Sequence, residues 1–423
     1  MNSTPPPSPT GERRAGQAAL AAASVVVAAT LWLGLIAKLG AWRWMRTAAP
    51  GVLSYTFDGW REWPIAAHML LGQHTPTAFA EGLAYRSYTY PYLLAMYAVV
   101  APIHALLGVP YSVAHNVLPL LHVVLFVGLF AWLARAHLAA LVGSGHPVDL
   151  VCLFLLIGLI VVTPAAWSCM LLFNRDNLHF AIALVFCWLS VDLTRDPPNR
   201  ARFLAGGVFV ALYAPIYFPA WMLGRLCLDR QPARVWSTVR DGLVVGALSA
   251  VSWLLPWSIG RLAGVKTVGS GYLYRSGLNG SREWLHDLWQ AMLWPPPSAF
   301  VPYQRVSVAT HLLAVVVALV WLPGPADAPA PDSTRRARLR QAAFLTLPYL
   351  SIAILLPQFT AIHPYFTDVL LLVPSAFVLC WWSVEAAGQR AWSGMTVAFW
   401  ALGAMVLLMT DLLHIAQVLR SRP

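Results

Sequence analysis

Apolar runs of roughly 17–25 residues recur from one end of this chain to the other, with polar turns between them. A helix rises 1.5 Å per residue, so a run of that length matches a hydrocarbon core of about 30 Å. Backbone in lipid must satisfy its own hydrogen bonds, which leaves helices or closed barrels. The runs are far longer than barrel strands. The expected fold class is therefore all-α, a polytopic membrane helical bundle. Charged residues make up only 11% of the 423, against about 25% in soluble domains. No segment reads as a separate soluble domain.

The candidate spans are Gln17–Leu39, Val113–Ala134, Leu150–Trp167, Leu178–Leu193, Val244–Ile259, Val306–Trp321, Ala342–Phe359, Tyr365–Trp382 and Trp392–Leu413. The stretch Phe203–Leu228 is too short for two full spans. Arg195, Arg200 and Arg202 precede it and Arg225, Arg230, Arg234 and Arg240 follow it, so both of its ends belong on the cytoplasmic side. Pro215 and Pro219 are placed to break it into two half-helices. Counting that hairpin as two gives roughly 11 crossings. The segment 1–16 is expected to be a disordered cytoplasmic terminus, and 17–423 a single integral-membrane domain. The first apolar run is too long for a signal peptide's core and is expected to be retained.

This topology leaves two long outer segments, Gly40 to Ser112 and Arg261 to Arg305. Within the first, Tyr90 to Leu107 is expected to lie in the interface; the alternative, a further span, would reverse the sidedness of everything after it. Pro323 to Arg340 is expected to be a plain cytoplasmic linker. The net charge of +11 suits short basic cytoplasmic loops better than a nucleic-acid partner. The chain is placed in the inner (cytoplasmic) membrane, multi-pass, with membrane lipids as surroundings. Cys152, Cys169, Cys187, Cys227 and Cys380 show no metal-ligand spacing or obvious pairing, and read as small core residues.

Chemistry is expected where polar side chains gather on the outer face. Asp58, flanked by aromatics in Thr56-Phe57-Asp58-Gly59-Trp60-Arg61-Glu62, is placed to act as a general base. A helix N-cap or an arginine partner accounts for it equally well. Glu62 lies four residues on, so the two acids share a helical face. They form at most a weak site for a divalent cation, and no metal ligand set or cofactor is assigned. Asn174-Arg175-Asp176-Asn177 is a polar turn between two apolar helices, and Arg175 has the fork geometry for a phosphate. A capped turn explains the same residues. His363, in Gln358-Phe359-Thr360-Ala361-Ile362-His363-Pro364-Tyr365, occupies another outer turn. The stretch Tyr85-Arg86-Ser87-Tyr88-Thr89-Tyr90 combines one arginine with aromatics that anchor at interfaces or stack on sugar rings.

The order of these motifs resembles the GT-C class of integral-membrane glycosyltransferases, and is most similar to families of α-mannosyltransferases that use polyprenol-phosphate-mannose. The resemblance rests on Asp58 through His68-Met69-Leu70-Leu71-Gly72, then Thr89-Tyr90-Pro91-Tyr92, then Arg175-Asp176-Asn177-Leu178. It continues through Ala205-Gly206-Gly207 to Tyr217-Phe218-Pro219, and ends at His363-Pro364-Tyr365-Phe366. The chain departs from the family pattern in having Arg175-Asp176 where Gly-Gln is common, and Pro215-Ile216 where a lysine is common. The resemblance implies a polyprenyl-phosphate-linked sugar donor, a lipid or glycan acceptor, and single inverting displacement on the outer side. Asp58 would deprotonate the acceptor hydroxyl. Arg61, Glu62, Arg86, Tyr90, Arg175, Asp176, Asn177, His363 and Tyr365 would bind substrate, with Arg86, Arg175 and His363 holding the departing phosphate. A polytopic transporter or lipid flippase is the alternative, favoured chiefly by the Phe203–Leu228 hairpin. A non-enzymatic assembly factor is a third.

Overall fold

A computed structural model of the chain describes residues 98, 101–108, 176–193, 199–228, 235–262, 285–286, 331–355, 370–371, 373–375, 377–378 and 381–382. The candidate spans Gln17–Leu39, Val113–Ala134, Leu150–Trp167, Val306–Trp321 and Trp392–Leu413 lie outside these residues. The regular elements among them are helical. In chain order the long helices are α1 (Asp176–Ser190), α2 (Arg200–Tyr213), α3 (Phe218–Leu228), α4 (Val235–Leu262) and α5 (Pro331–Leu355). Residues 101–107, inside the stretch expected at the interface, are also helical. That helix stops at Gly108, whose φ of 63° is the left-handed conformation that favours glycine.

α1 is buried along most of its length. Ile182, Ala183, Phe186, Cys187 and Leu189 are sealed from solvent, as expected for a helix that is apolar on every side. A 3-10 turn, Val191–Leu193, completes it. α2 packs on α1 and α4, while α3 packs on α4, α5 and α2. α5 closes the group against α1 and α3.

The stretch Phe203–Leu228 falls within two antiparallel helices and the turn between them. α2 begins with Asn199 as N-cap, its side chain accepting from the Arg202 backbone N–H at 3.0 Å. It ends at Ala214, and Pro215–Tyr217 form a 3-10 turn before α3. The break falls at Pro215, which has no N–H to continue the ladder. Pro219 sits in the first turn of α3, where proline is tolerated.

Close approach of small residues lets these helices mesh. A Cβ added at Gly207 would lie 2.3 Å from Cε2 of Trp221, and one at Gly224 would lie 2.0 Å from Cε2 of Phe344. Phe344 in turn stacks on Phe186 with ring centroids 5.0 Å apart. The buried Trp221 indole donates to the Phe203 carbonyl at 2.9 Å, joining α3 to α2.

Two expectations need correction. α5 begins at Pro331, so the second half of the expected linker Pro323 to Arg340 is helix, and Arg338 within it is buried. Of the cysteines, Cys187 is buried but Cys227 is exposed, because it shares the outward face of α3 with Leu223 and Leu226. Among the described residues, no helix is long and apolar enough to cross a membrane.

Candidate functional site

The helix directions give the bundle two unlike ends. α1 runs toward one end, where α2 starts, α3 finishes and α4 and α5 begin. At this end Arg202 donates to Asp192 at 3.2 Å and lies over the Trp188 ring. Arg225 is sealed from solvent and donates Nε and Nη2 to Asp241 Oδ2 at 3.1 and 2.8 Å. Nη2 also reaches the Ser237 hydroxyl at 3.4 Å. The other Asp241 oxygen accepts from Arg240 at 3.2 Å, and the Arg240 side chain is exposed. Gln341 accepts from the Trp382 indole at 2.7 Å and donates to Ser190 at 3.2 Å. Ser190 in turn donates to the Cys187 carbonyl at 2.7 Å. The Arg338 guanidinium lies over the Trp382 ring.

The opposite end holds the head of α1 and the tip of the α2–α3 hairpin. Asp176 and Asn177 are the first two residues of α1, and one turn further His179 is buried. A hydrogen bond joins His179 Nδ1 to the hydroxyl of Tyr217, which is also buried, and the rings meet edge to face. Ser351 of α5 donates to the Ile216 carbonyl at 3.3 Å, holding the tip from the other side.

Of the residues expected to form the site, Asp176 and Asn177 stand together at this head of α1. Asp58, Arg61, Glu62, Arg86, Tyr90, Arg175, His363 and Tyr365 lie outside the described residues. The paired groups were not foreseen. Arg202 and Arg225 read as loop charges, yet they belong to helices and have carboxylate partners. In an apolar interior a guanidinium persists only when its donors are met. A local hint existed for Tyr217, which stands in the aromatic-Pro element Tyr217-Phe218-Pro219. None existed for His179. Among the described residues, no group of three or more His, Cys, Asp or Glu side chains is arranged to hold a metal ion.

Comparison with known proteins found no matching family model, no matching curated protein and no matching solved structure.

Proposed function

We propose that this chain is an integral-membrane glycosyltransferase of the GT-C type. It transfers a mannose-like sugar from a polyprenyl-phosphate donor to an acceptor hydroxyl on the outer side of the cytoplasmic membrane. Asp58 is the general base. Arg86, Arg175 and His363 stabilise the leaving phosphate, whose charge grows in the transition state. Arg61, Glu62, Tyr90, Asp176, Asn177 and Tyr365 complete the substrate contacts.

The observation that carries this proposal is the difference between the two ends of the bundle. Arg200, Arg202, Arg225, Arg240, Arg335, Arg336, Arg338 and Arg340 gather at one end. Basic residues collect on the cytoplasmic side of membrane proteins. The head of α1, with Asp176 and Asn177, is then the outer end, the side on which the motif order puts Asp58. The few ionisable groups inside the bundle have partners, and its outward faces carry leucines. Arg225, Asp241, Asp192 and His179 are inside, while Leu212, Leu223, Leu226 and Leu254 are outside. Ionisable groups in lipid-embedded bundles face inward and pair. The hydropathy of α4 averages its inward Thr238, Asp241 and Ser249 with its outward leucines, so its distribution by face says more than its mean.

A transporter or flippase is the second proposal, favoured by the broken hairpin and the buried Arg225–Asp241 pair. One experiment separates the two. The full chain and its Asp58→Asn variant are purified in detergent and given a polyprenyl-phosphate sugar and candidate acceptors. The glycosyltransferase predicts that transfer falls by at least about 100-fold in the variant while the protein still folds, consistent with loss of a general base. Full activity in the variant refutes the role of Asp58. Lipid-linked sugar movement across vesicles without transfer supports the transporter.

A further inference from the structure

We infer that the Trp236–Arg240 turn of α4 docks on the anionic phospholipid headgroups of the inner leaflet, with the apolar stripe beyond it against the acyl chains. This rests on the membrane half of the proposed function and not on its chemistry.

α4 has two faces. Asp241, Val245 and Ser249 recur at four-residue spacing and are buried, where the helix packs on α2 and α3. The other face carries Trp236 (81% exposed), Leu243 (70%), Val251 (57%) and Leu254 (57%). Their spacing keeps them on one side of the helix. A helix facing water shows the reverse pattern. The stripe is an apolar surface that stands open over several turns.

Its ending says what covers it. At the arginine-rich end the stripe finishes in Trp236, and Arg240, one turn further on, shares that face with its side chain 74% exposed. Indoles settle at the headgroup level, where one edge is apolar and the other wet. A flexible arginine lays its stem on apolar surface and lifts its head to the phosphates. Arg240 spends one contact on Asp241 Oδ1, and its five N–H groups leave donors for a phosphodiester. The cytoplasmic leaflet carries anionic lipid, which attracts basic groups held at its surface.

The test uses the full chain. It has 20 tryptophans, so the readout is the emission lost on Trp236→Phe, a change at an exposed position. In vesicles this difference emission is expected to be quenched by lipids brominated on the acyl carbons near the headgroup, and protected from aqueous iodide. In micelle titrations with brominated phosphatidylglycerol, Arg240→Gln is expected to raise the quenching midpoint about fivefold. The midpoint with brominated phosphatidylcholine stays unchanged. Iodide reaching Trp236 in vesicles overturns the inference, as do equal wild-type midpoints for the two lipids. Protection from both quenchers also overturns it and points to a second copy on this face. Release of the chain by alkaline carbonate sinks both the inference and the membrane half of the proposed function. Loss of sugar transfer alone leaves the inference standing.

Discussion

Replacing Asp241 by alanine tests how the arginine-rich end is held. Arg225 is fully buried and directs both Nε and Nη2 at one oxygen of Asp241. Without that oxygen the contact that Nη2 keeps with the Ser237 hydroxyl is long, at 3.4 Å, and neutral. Removing one partner of a buried ion pair costs about 3–5 kcal/mol, because the remaining charge stays desolvated. Arg225→Met should cost less, about 1–3 kcal/mol. Asp241 then keeps Arg240, whose guanidinium is exposed and can be followed by water. The double variant Arg225→Met/Asp241→Leu removes both charges and fills the space, so it should lie within about 1 kcal/mol of the parent. Equilibrium unfolding of the detergent-purified chain in rising dodecyl sulfate, followed by circular dichroism, ranks the four proteins. An Asp241→Ala protein within about 1 kcal/mol of the parent refutes the argument. So does a double variant as unstable as the worse single.

Gly224→Ala should destabilise by about 1–3 kcal/mol, since the new methyl meets a Phe344 ring already stacked on Phe186. Combining it with Phe344→Leu should cost less than the sum of the two in the same unfolding assay. Gln341→Leu strips the Trp382 indole of its 2.7 Å acceptor and Ser190 of its donor. A loss of about 1–3 kcal/mol is expected, with a shift in near-ultraviolet circular dichroism from the buried tryptophan.

Hydropathy found the apolar parts of helices and missed their polar beginnings. The run Leu178–Leu193 coincides closely with α1 and its 3-10 extension because that helix is covered on all sides. The run Val244–Ile259 lies within a helix that starts at Val235. Its first turns contain Thr238, which is buried, and Ser237 and Asp241, which meet Arg225, rather than lying in a loop. The described part of the run Ala342–Phe359, as far as Leu355, belongs to a helix that starts at Pro331, whose polar opening turns bury Arg338 and Gln341. The break at Pro215 was legible because proline removes a donor wherever it sits. The partners of Arg225, Gln341 and Tyr217 were not, since each contact joins residues far apart in sequence and leaves no local periodicity. Of the candidate site, Asp176 and Asn177 fall at a helix head, as a polar turn before an apolar run implies.

The hairpin tip has a consequence for biogenesis. Its Ile216 carbonyl waits for Ser351, 135 residues later, and Ser190 waits for Gln341, 151 residues later. At about 5–20 residues per second, a ribosome takes roughly 7–30 s to supply them. Throughout that interval two short helices with arginines at their feet have no cover from α5. An insertase or chaperone that shelters such a nascent intermediate would therefore act on this protein at a definite chain length, after Leu228 has emerged and before Pro331 arrives.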